Sequence, residues 1–429
     1  MAESDVIIVG AGAAGLAAAG KLAAWGRRVV ILEARSRTGG RVFTRQCSGL
    51  PFPVELGAEF IHGLPQETFS IVRAANLVTY ETSDTHLLVR DGKIQDENAA
   101  WDRMAQLLDR VDELASTGRS VRSFLDGPGS VDAQAALLLR RYVEGYHAAH
   151  TERMSLAALA QAERAAAAIG GDRSFRVLNG YSRVVDALIS ARPGIELRLN
   201  TRVDEVVWET GRVVLHATNA LSGGRESFTA PRVLVTLPLS VLQAGSVRFD
   251  PPLVEKSAAA ARLHMGNVVK VVLQFAEPVW EAREEMHELG FLHAPDQLFP
   301  TWWTMHPLRS SVITGWAGGP AADGLNGKSR EAMLECALHS LAQSLSIPHE
   351  QLTRGLLSAH LHDWLADPFS GGAYSYIPVG GEDAPAELGR PLHGTLFFAG
   401  EATDTRGHTG TVHGAIASGY RAAAEMLAD

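Results

Sequence analysis

Cysteine is almost missing from this 429-residue chain, where Cys47 and Cys336 are the only two. A disulfide framework is therefore not what stabilises it. The opening MAESDVIIVG has no charged leader region, apolar stretch and cleavage site, so a cytoplasmic location is expected. No apolar run approaches the roughly 20 residues that cross a bilayer, and membrane attachment is not expected. Blocks of basic residues are also lacking. The net charge of −9 is spread along the sequence, which disfavours nucleic acid or anionic lipid as partner and favours a small molecule. His147 with His150, and His360 with His362, have spacings that suit a metal, but no complementary cysteine or carboxylate set completes a site. A G-x-S-x-G hydrolase elbow is absent.

What is present is apolar and helix-forming. With 46% hydrophobic and 20% charged residues the chain can bury a large core, and its length suggests two or three domains. Ala100 to Ala168 is rich in alanine, leucine and charge at helical spacing, while Val268 to Gln274 and Val312 to Trp316 read as strands. Gly127-Pro128-Gly129 and Gly318-Gly319-Pro320 mark turns.

The N-terminus carries the strongest local signal. Asp5 to Val9 reads as a β-branched strand, followed by Gly10-Ala11-Gly12-Ala13-Ala14-Gly15 and a helix-forming run; a second apolar strand ends in Glu33. Glycines at this turn let the backbone approach a pyrophosphate, the helix start offers unpaired N–H groups, and the carboxylate accepts a ribose hydroxyl. A dinucleotide site is expected from Gly10, Gly12, Ala14, Gly15 and Glu33. Just beyond, Ala34-Arg35 and Arg37-Thr38-Gly39-Gly40-Arg41 place two more glycines between cations. That is a second phosphate-facing loop, with Arg41 available for a charge-assisted contact.

This succession of strand, glycine loop, E-A-R and G-G-R resembles the opening of the flavin-containing amine oxidases. Four further blocks follow in the same order: VELGAEFIHG (Val54 to Gly63), RVLVTLPLSVLQAGSVRF (Arg232 to Phe249), MGNVVKVVLQF (Met265 to Phe275) and LFFAGEATDTRGHTGTVHGAIASG (Leu396 to Gly419). The resemblance implies a mixed α/β fold in which a Rossmann-like FAD-binding domain (residues 1–77, 176–243 and 377–429) interleaves with a substrate-binding domain (78–175 and 244–376). It implies FAD as cofactor, contacted by the residues above and by Ala34, Arg35, Gly40, Arg41, Gly57, Ala58, Glu59, Val203, Gly400, Glu401 and Val412. The implied reaction is oxidation of a small-molecule amine by O2, with an imine or aldehyde and H2O2 as products, in a monomer or homodimer.

Departures from the family pattern are informative. In the stretch SGGAYSYIPVG, Ala373 stands where the monoamine oxidases carry the cysteine tethered to the flavin, so non-covalent FAD is expected. Tyr374 matches the tyrosine beside the flavin, but its aromatic partner is replaced by Thr411, as in polyamine-oxidase-like members. Lys270 matches the family lysine that holds a water near the flavin and assists reaction with oxygen. His62 matches a histidine lining the site in several polyamine oxidases, where an imidazole could orient or deprotonate an amine. The expected catalytic set is thus Lys270, Tyr374, His62 and Thr411.

Other positions stay open at this level. Glu59 faces either the cofactor, a cationic substrate or an arginine. His413 and Tyr376 read as packed side chains, and at most one of Trp302 and Trp303 can line a pocket, because adjacent strand residues point to opposite faces. A monoamine oxidase, an L-amino-acid oxidase or desaturase-like flavoenzyme, and a non-enzymatic scaffold are the alternatives. ELGAEFIHG carries no arginine for a substrate carboxylate, and retention of Lys270 and Glu401 argues against the scaffold.

Overall fold

A computed structural model describes residues 4–90, 92–95, 98–114, 118–127, 132–190 and 192–428. The turn expected at Gly127-Pro128-Gly129 lies in part outside these. The first strand, Val6–Val9, is buried along its whole length. It takes the centre of a five-stranded parallel sheet, flanked by Val29–Leu32 and Ile195–Arg198 on one side and by Arg232–Val235 and Leu396–Phe398 on the other. A parallel sheet covered on both faces reads as continuous β-branched runs, and VIIV, VVIL and RVLV are of that kind. Strands far apart in sequence thus lie side by side.

One face of this sheet is covered by the helices Ala13–Ala24 and Val412–Ala428. Both are alanine- and glycine-rich, and small side chains let the two backbones approach closely. A Cβ added at Gly419 would lie 2.2 Å from the Ala14 carbonyl oxygen, and one at Gly15 would lie 2.1 Å from that of Gly10. The opposite face packs on a four-stranded sheet, in order Arg225–Ala230, Arg212–Asn219, Thr201–Glu209 and Arg248–Asp250.

The second large layer is a seven-stranded, mostly antiparallel sheet. Val268–Phe275 lies beside the edge strand Leu356–Leu361 and pairs on its other side with Val312–Gly318, followed by Thr301–Thr304, Phe291–His293, His86–Arg90 and Lys93–Gln95. Helix Arg330–Leu345 packs on one face. The helices Asn98–Leu114, Val121–Leu125, Ala133–Tyr146 and Leu156–Ala167 form a separate cluster, and Tyr376 is buried in it. Tyr376 is therefore core, although Tyr374 two residues earlier faces a cavity. Among the described residues no helix is long and apolar enough to cross a membrane.

Gly419→Ala should lower stability by about 1–3 kcal/mol, because one methyl must push two helix backbones apart. Gly145→Ala, in a helix and with nothing within 4 Å of the added carbon, is the control that should lose no stability and gain up to about 1 kcal/mol. Denaturant unfolding of both variants checks this.

Candidate active site

A cavity of about 1270 Å³ runs between the parallel sheet and the seven-stranded sheet. Ligand pockets are commonly on the order of 300–1,000 Å³, so this one has room for an extended cofactor and a substrate together.

At one end lie Gly10, Gly12 and Ala14, then Glu33, Ala34 and Arg35, with Val203 nearby. Gly10 has φ +106°, and a side chain there would strike Thr236. The helix at Ala13 begins with no side-chain cap, leaving its first amides free for an anion. Gly15 does not line the cavity; it is the point where helix and loop touch. Glu33 accepts the amides of Ala11 (2.7 Å) and Arg35 (2.9 Å), one on each oxygen, and each oxygen retains acceptor capacity for a hydroxyl. Arg35 is held by Asp367 (2.9 Å) and Ser370 (2.8 Å).

The middle is organised by Glu401. Its carboxylate accepts Arg41 (2.8 Å) on one oxygen, and the Ser375 hydroxyl (2.5 Å) and the Gly410 amide (3.0 Å) on the other. Arg41 also donates to the Ala373 carbonyl at 2.8 Å. Two expected cofactor contacts, Arg41 and Glu401, are thus bonded to each other, and together they fix the strand that carries Tyr374. Gly40 and Gly400 line the same stretch.

At the far end Gly57, Ala58, Glu59, His62, Lys270, Tyr374, Thr411 and Val412 all face the cavity. The Lys270 amine does not reach the surface: the residue is 3% exposed. Its Nζ lies 2.6 Å from Glu59 Oε2 and 3.2 Å from the Gly57 carbonyl. The other Glu59 oxygen accepts Arg176 Nε (2.7 Å) and Trp303 Nε1 (3.0 Å). Burial opposes ionisation of Glu59, but Lys270 and Arg176 hold its carboxyl below the usual range. Glu59 therefore pairs with an arginine and with the lysine at once. Arg176 has no signature of its own in the sequence.

Tyr374 donates to the Tyr146 carbonyl at 2.7 Å, and burial raises its hydroxyl pKa, so it stays a neutral phenol. Thr411 donates to the His408 carbonyl (2.7 Å) and accepts the Gly414 amide (3.0 Å), which makes it the cap of the closing helix. The amides of Val412 and His413 have no acceptor within that helix and open toward the cavity end. His413 is buried and pushed down to about 3 by burial and by His408, so it is a neutral packed ring.

His62 pairs across a short strand with Ser174 and touches its hydroxyl at 3.2 Å; burial pushes it down to about 4. A ring neutral down to that pH accepts a hydrogen bond but is a weak base for an ammonium. Tyr146 stands edge-on to His62, with ring centroids 5.2 Å apart, and stacks on Tyr142. Part of the wall beside Tyr374 thus comes from helix Ala133–Tyr146, a contribution that helical periodicity did not announce. Trp303 lines the cavity while Trp302 is core, its indole bonded to Phe299, as adjacent strand positions require. Trp364 donates to the Leu56 carbonyl at 2.9 Å. Among the described residues no group of three or more His, Cys, Asp or Glu could hold a metal; His150 bonds to Asp323 and His362 to Asp367.

With this geometry, comparison with known proteins is specific. Residues 13–427 match the family model described as flavin containing amine oxidoreductase. The chain belongs to that family, so a flavin is the cofactor to which the site corresponds. It is 30% identical to Lysine-specific histone demethylase 1 homolog 2 of Arabidopsis thaliana over 99% of this chain and 58% of that protein. It is 29% identical to Polyamine oxidase 3 of Oryza sativa subsp. japonica over 98% of this chain and 88% of that protein. The chain spans between 30% and 58% of the length of the demethylase homologues that it matches in the two plants. Among solved structures, putrescine oxidase bound to putrescine superposes with a TM-score of 0.82 at 23% identity, covering 100% of this chain and 99% of that one. Cyclohexylamine oxidase from Brevibacterium oxydans superposes at 0.81 with 21% identity, covering 99% of both. These likenesses establish the fold.

Glu59→Ala would leave two cations buried without their anion. A loss of about 3–5 kcal/mol is expected, read by denaturant unfolding of the variant beside the parent.

Proposed function

We propose that this protein is an FAD-dependent amine oxidase acting on a polyamine-type substrate, with FAD held non-covalently. The observation that carries this reading is the continuity of one cavity from the Glu33 loop to the Lys270, Tyr374 and His62 end. Glu33 would hold ribose hydroxyls, the Gly10–Ala14 turn and its helix start the diphosphate, and Lys270 with the Val412 helix start the flavin end. Neither Cys47 nor Cys336 lines the cavity and Ala373 precedes Tyr374, which supports a non-covalent cofactor. The chemistry that bound FAD would supply is uptake of a hydride equivalent from the carbon beside the amine nitrogen and delivery of the electrons to O2, with H2O2 and an imine that water would hydrolyse as products.

In this reading the chain's own residues position and balance charge. The Tyr374 phenol orients the amine. His62, neutral, accepts a hydrogen bond from an amine N–H. Lys270, paired with Glu59, places a positive charge beside the flavin end, and the Val412 helix start adds hydrogen-bond donors there. Thr411 sets that helix start.

We also infer the two-part division into an FAD-binding stretch and a substrate-binding stretch. All five strands of the parallel sheet fall in residues 1–77, 176–243 and 377–429. Arg248–Asp250 pairs with Thr201–Glu209, so we place the end of the middle piece after Asp250.

Glu163 supports the polyamine class. It lines the cavity, accepts the Tyr142 hydroxyl at 2.7 Å and lies 3.7 Å from His147 Nε2, and among the described residues it has no lysine or arginine within 4 Å. A carboxylate set in an aromatic wall without a permanently charged partner suits the distal ammonium of a diamine or polyamine. The names of the polyamine and putrescine oxidases among the relatives point the same way.

Anaerobic titration of the yellow holoprotein with an amine panel tests the class. Bleaching of the flavin by diamines or polyamines is expected; bleaching only by amino acids, or by no amine, would overturn it. Glu163→Gln should raise KM for a diamine by roughly tenfold or more, about 1.4 kcal/mol, and leave a monoamine of equal length little changed. Lys270→Met should slow reoxidation by O2 by roughly a hundredfold with FAD still bound; an unchanged reoxidation rate would remove Lys270 from its role.

A further inference from the structure

Behind Glu59, on the side away from the main cavity, lies a second cavity of about 30 Å³. Glu59 borders both. A buried water needs roughly 10–15 Å³ by the same measure and two to four polar partners. The small cavity has the space, and its polar wall supplies the partners.

Two of them carry a hydrogen-bonding group left unmatched. Arg176 is 4% exposed; its Nε is spent on Glu59 and its Nη2 on the Thr304 carbonyl, but Nη1 is buried with no partner. The Tyr80 hydroxyl is also buried; it stands beside the Arg176 guanidinium without a well-formed hydrogen bond, and it faces the same space. Buried donors without acceptors are rare and costly. The remaining polar walls are Thr314 and the carboxyl groups of Glu59 and Glu55. A single water can accept from Arg176 Nη1 and from a protonated Glu55 and donate to Glu59 and to the Tyr80 oxygen, which uses all four of its bonds.

We propose that this cavity binds an ordered water that joins Glu55 to Glu59, and that Glu55 is the proton reserve for Lys270. The inference rests on the oxidase reading. Oxygen that has taken a hydride equivalent needs one more proton to leave as H2O2. Lys270 gives that proton on the main-cavity side. Glu55 passes its own proton to the water, the water passes one of its protons to Glu59, and Glu59 passes one to the Lys270 amine. Glu55 ends as a carboxylate and every other group is restored; no electrons move.

The surroundings of Glu55 suit a group that exchanges a proton near neutrality. It accepts the Tyr181 amide (2.7 Å) and the Thr44 hydroxyl (2.8 Å). Burial pushes its carboxyl up to about 7, against the pull of those two bonds and of Lys270 and with the push of Glu59. The charged and titratable groups around it are Lys270, Glu59, Arg176, Tyr80 and the Tyr181 phenol. Glu55 is a positioning residue in this scheme, since it acts through Glu59 and Lys270.

The test uses photoreduced holoprotein, which needs no amine, mixed with oxygen at a series of pH values and paired with an infrared titration. The parent should reoxidise more slowly as pH rises through about 7, and a protonated-carboxyl band should vanish with the same midpoint. Glu55→Gln should lack the band and reoxidise roughly tenfold more slowly at pH 6, with a flat profile. Parent-like rate and profile in Glu55→Gln, or persistence of the band, would overturn the proposal. If that variant fails to fold, Tyr80→Phe decides: it should shift the midpoint of both readouts, and an unchanged midpoint overturns the proposal. Absence of any reaction with oxygen in the parent would instead strike the oxidase reading and with it the proton demand.

Discussion

One buried carboxylate organises the Lys270 end of the cavity. Glu59 receives Lys270, Arg176 and Trp303 from three different strands, and it comes from a fourth segment that begins at Gly57. An ammonium and a guanidinium that are each 3–4% exposed could not be placed so close without an anion between them. The carboxylate is therefore what permits a lysine inside the apolar strand VVKVVLQF. It also joins the seven-stranded sheet to the loop that passes under the main cavity, so the position of Lys270 depends on both.

A second ionic pair does the equivalent for the other side. Arg41 and Glu401 lie 360 positions apart, and their bonds to Ala373, Ser375 and Gly410 hold the Tyr374 strand against the closing helix. Charge-assisted bonds to backbone and hydroxyl groups fix geometry better than apolar contact does, because they are directional. The aromatic lining of Tyr374, Tyr146 and His62 stands on this framework. Its three polar tips remain neutral, since burial disfavours their charged forms.

Much of this was legible in order along the chain. The strand, glycine turn, helix and acidic residue at Val6 to Glu33 appear where their pattern says, because each rests on local chemistry: β-branched residues for the strand, glycine for positive φ, alanine for the helix. Lys270, His62 and Tyr374 could be named because the motifs around them are distinctive. The alternation of Trp302 and Trp303 could be anticipated from the two-residue period of a strand. Less could be said of Glu59, whose three possible partners were indistinguishable from its own segment, and nothing of Arg176, which sits in a segment with no motif, or of Glu55, whose place in VELGAEFIHG does not reveal its neighbours.

The residue types along the chain determined the cofactor loops, the alternation of buried and exposed strand positions, and the absence of a thiol beside Tyr374, since these depend on neighbours within a few positions. Only the tertiary structure decided which charges meet. Glu59 and Arg176 are 117 positions apart, and Glu59 and Trp303 are 244. Their pairing follows from the packing of separate sheets around one cavity, and the strength of each charge there follows from burial, which a linear sequence does not carry.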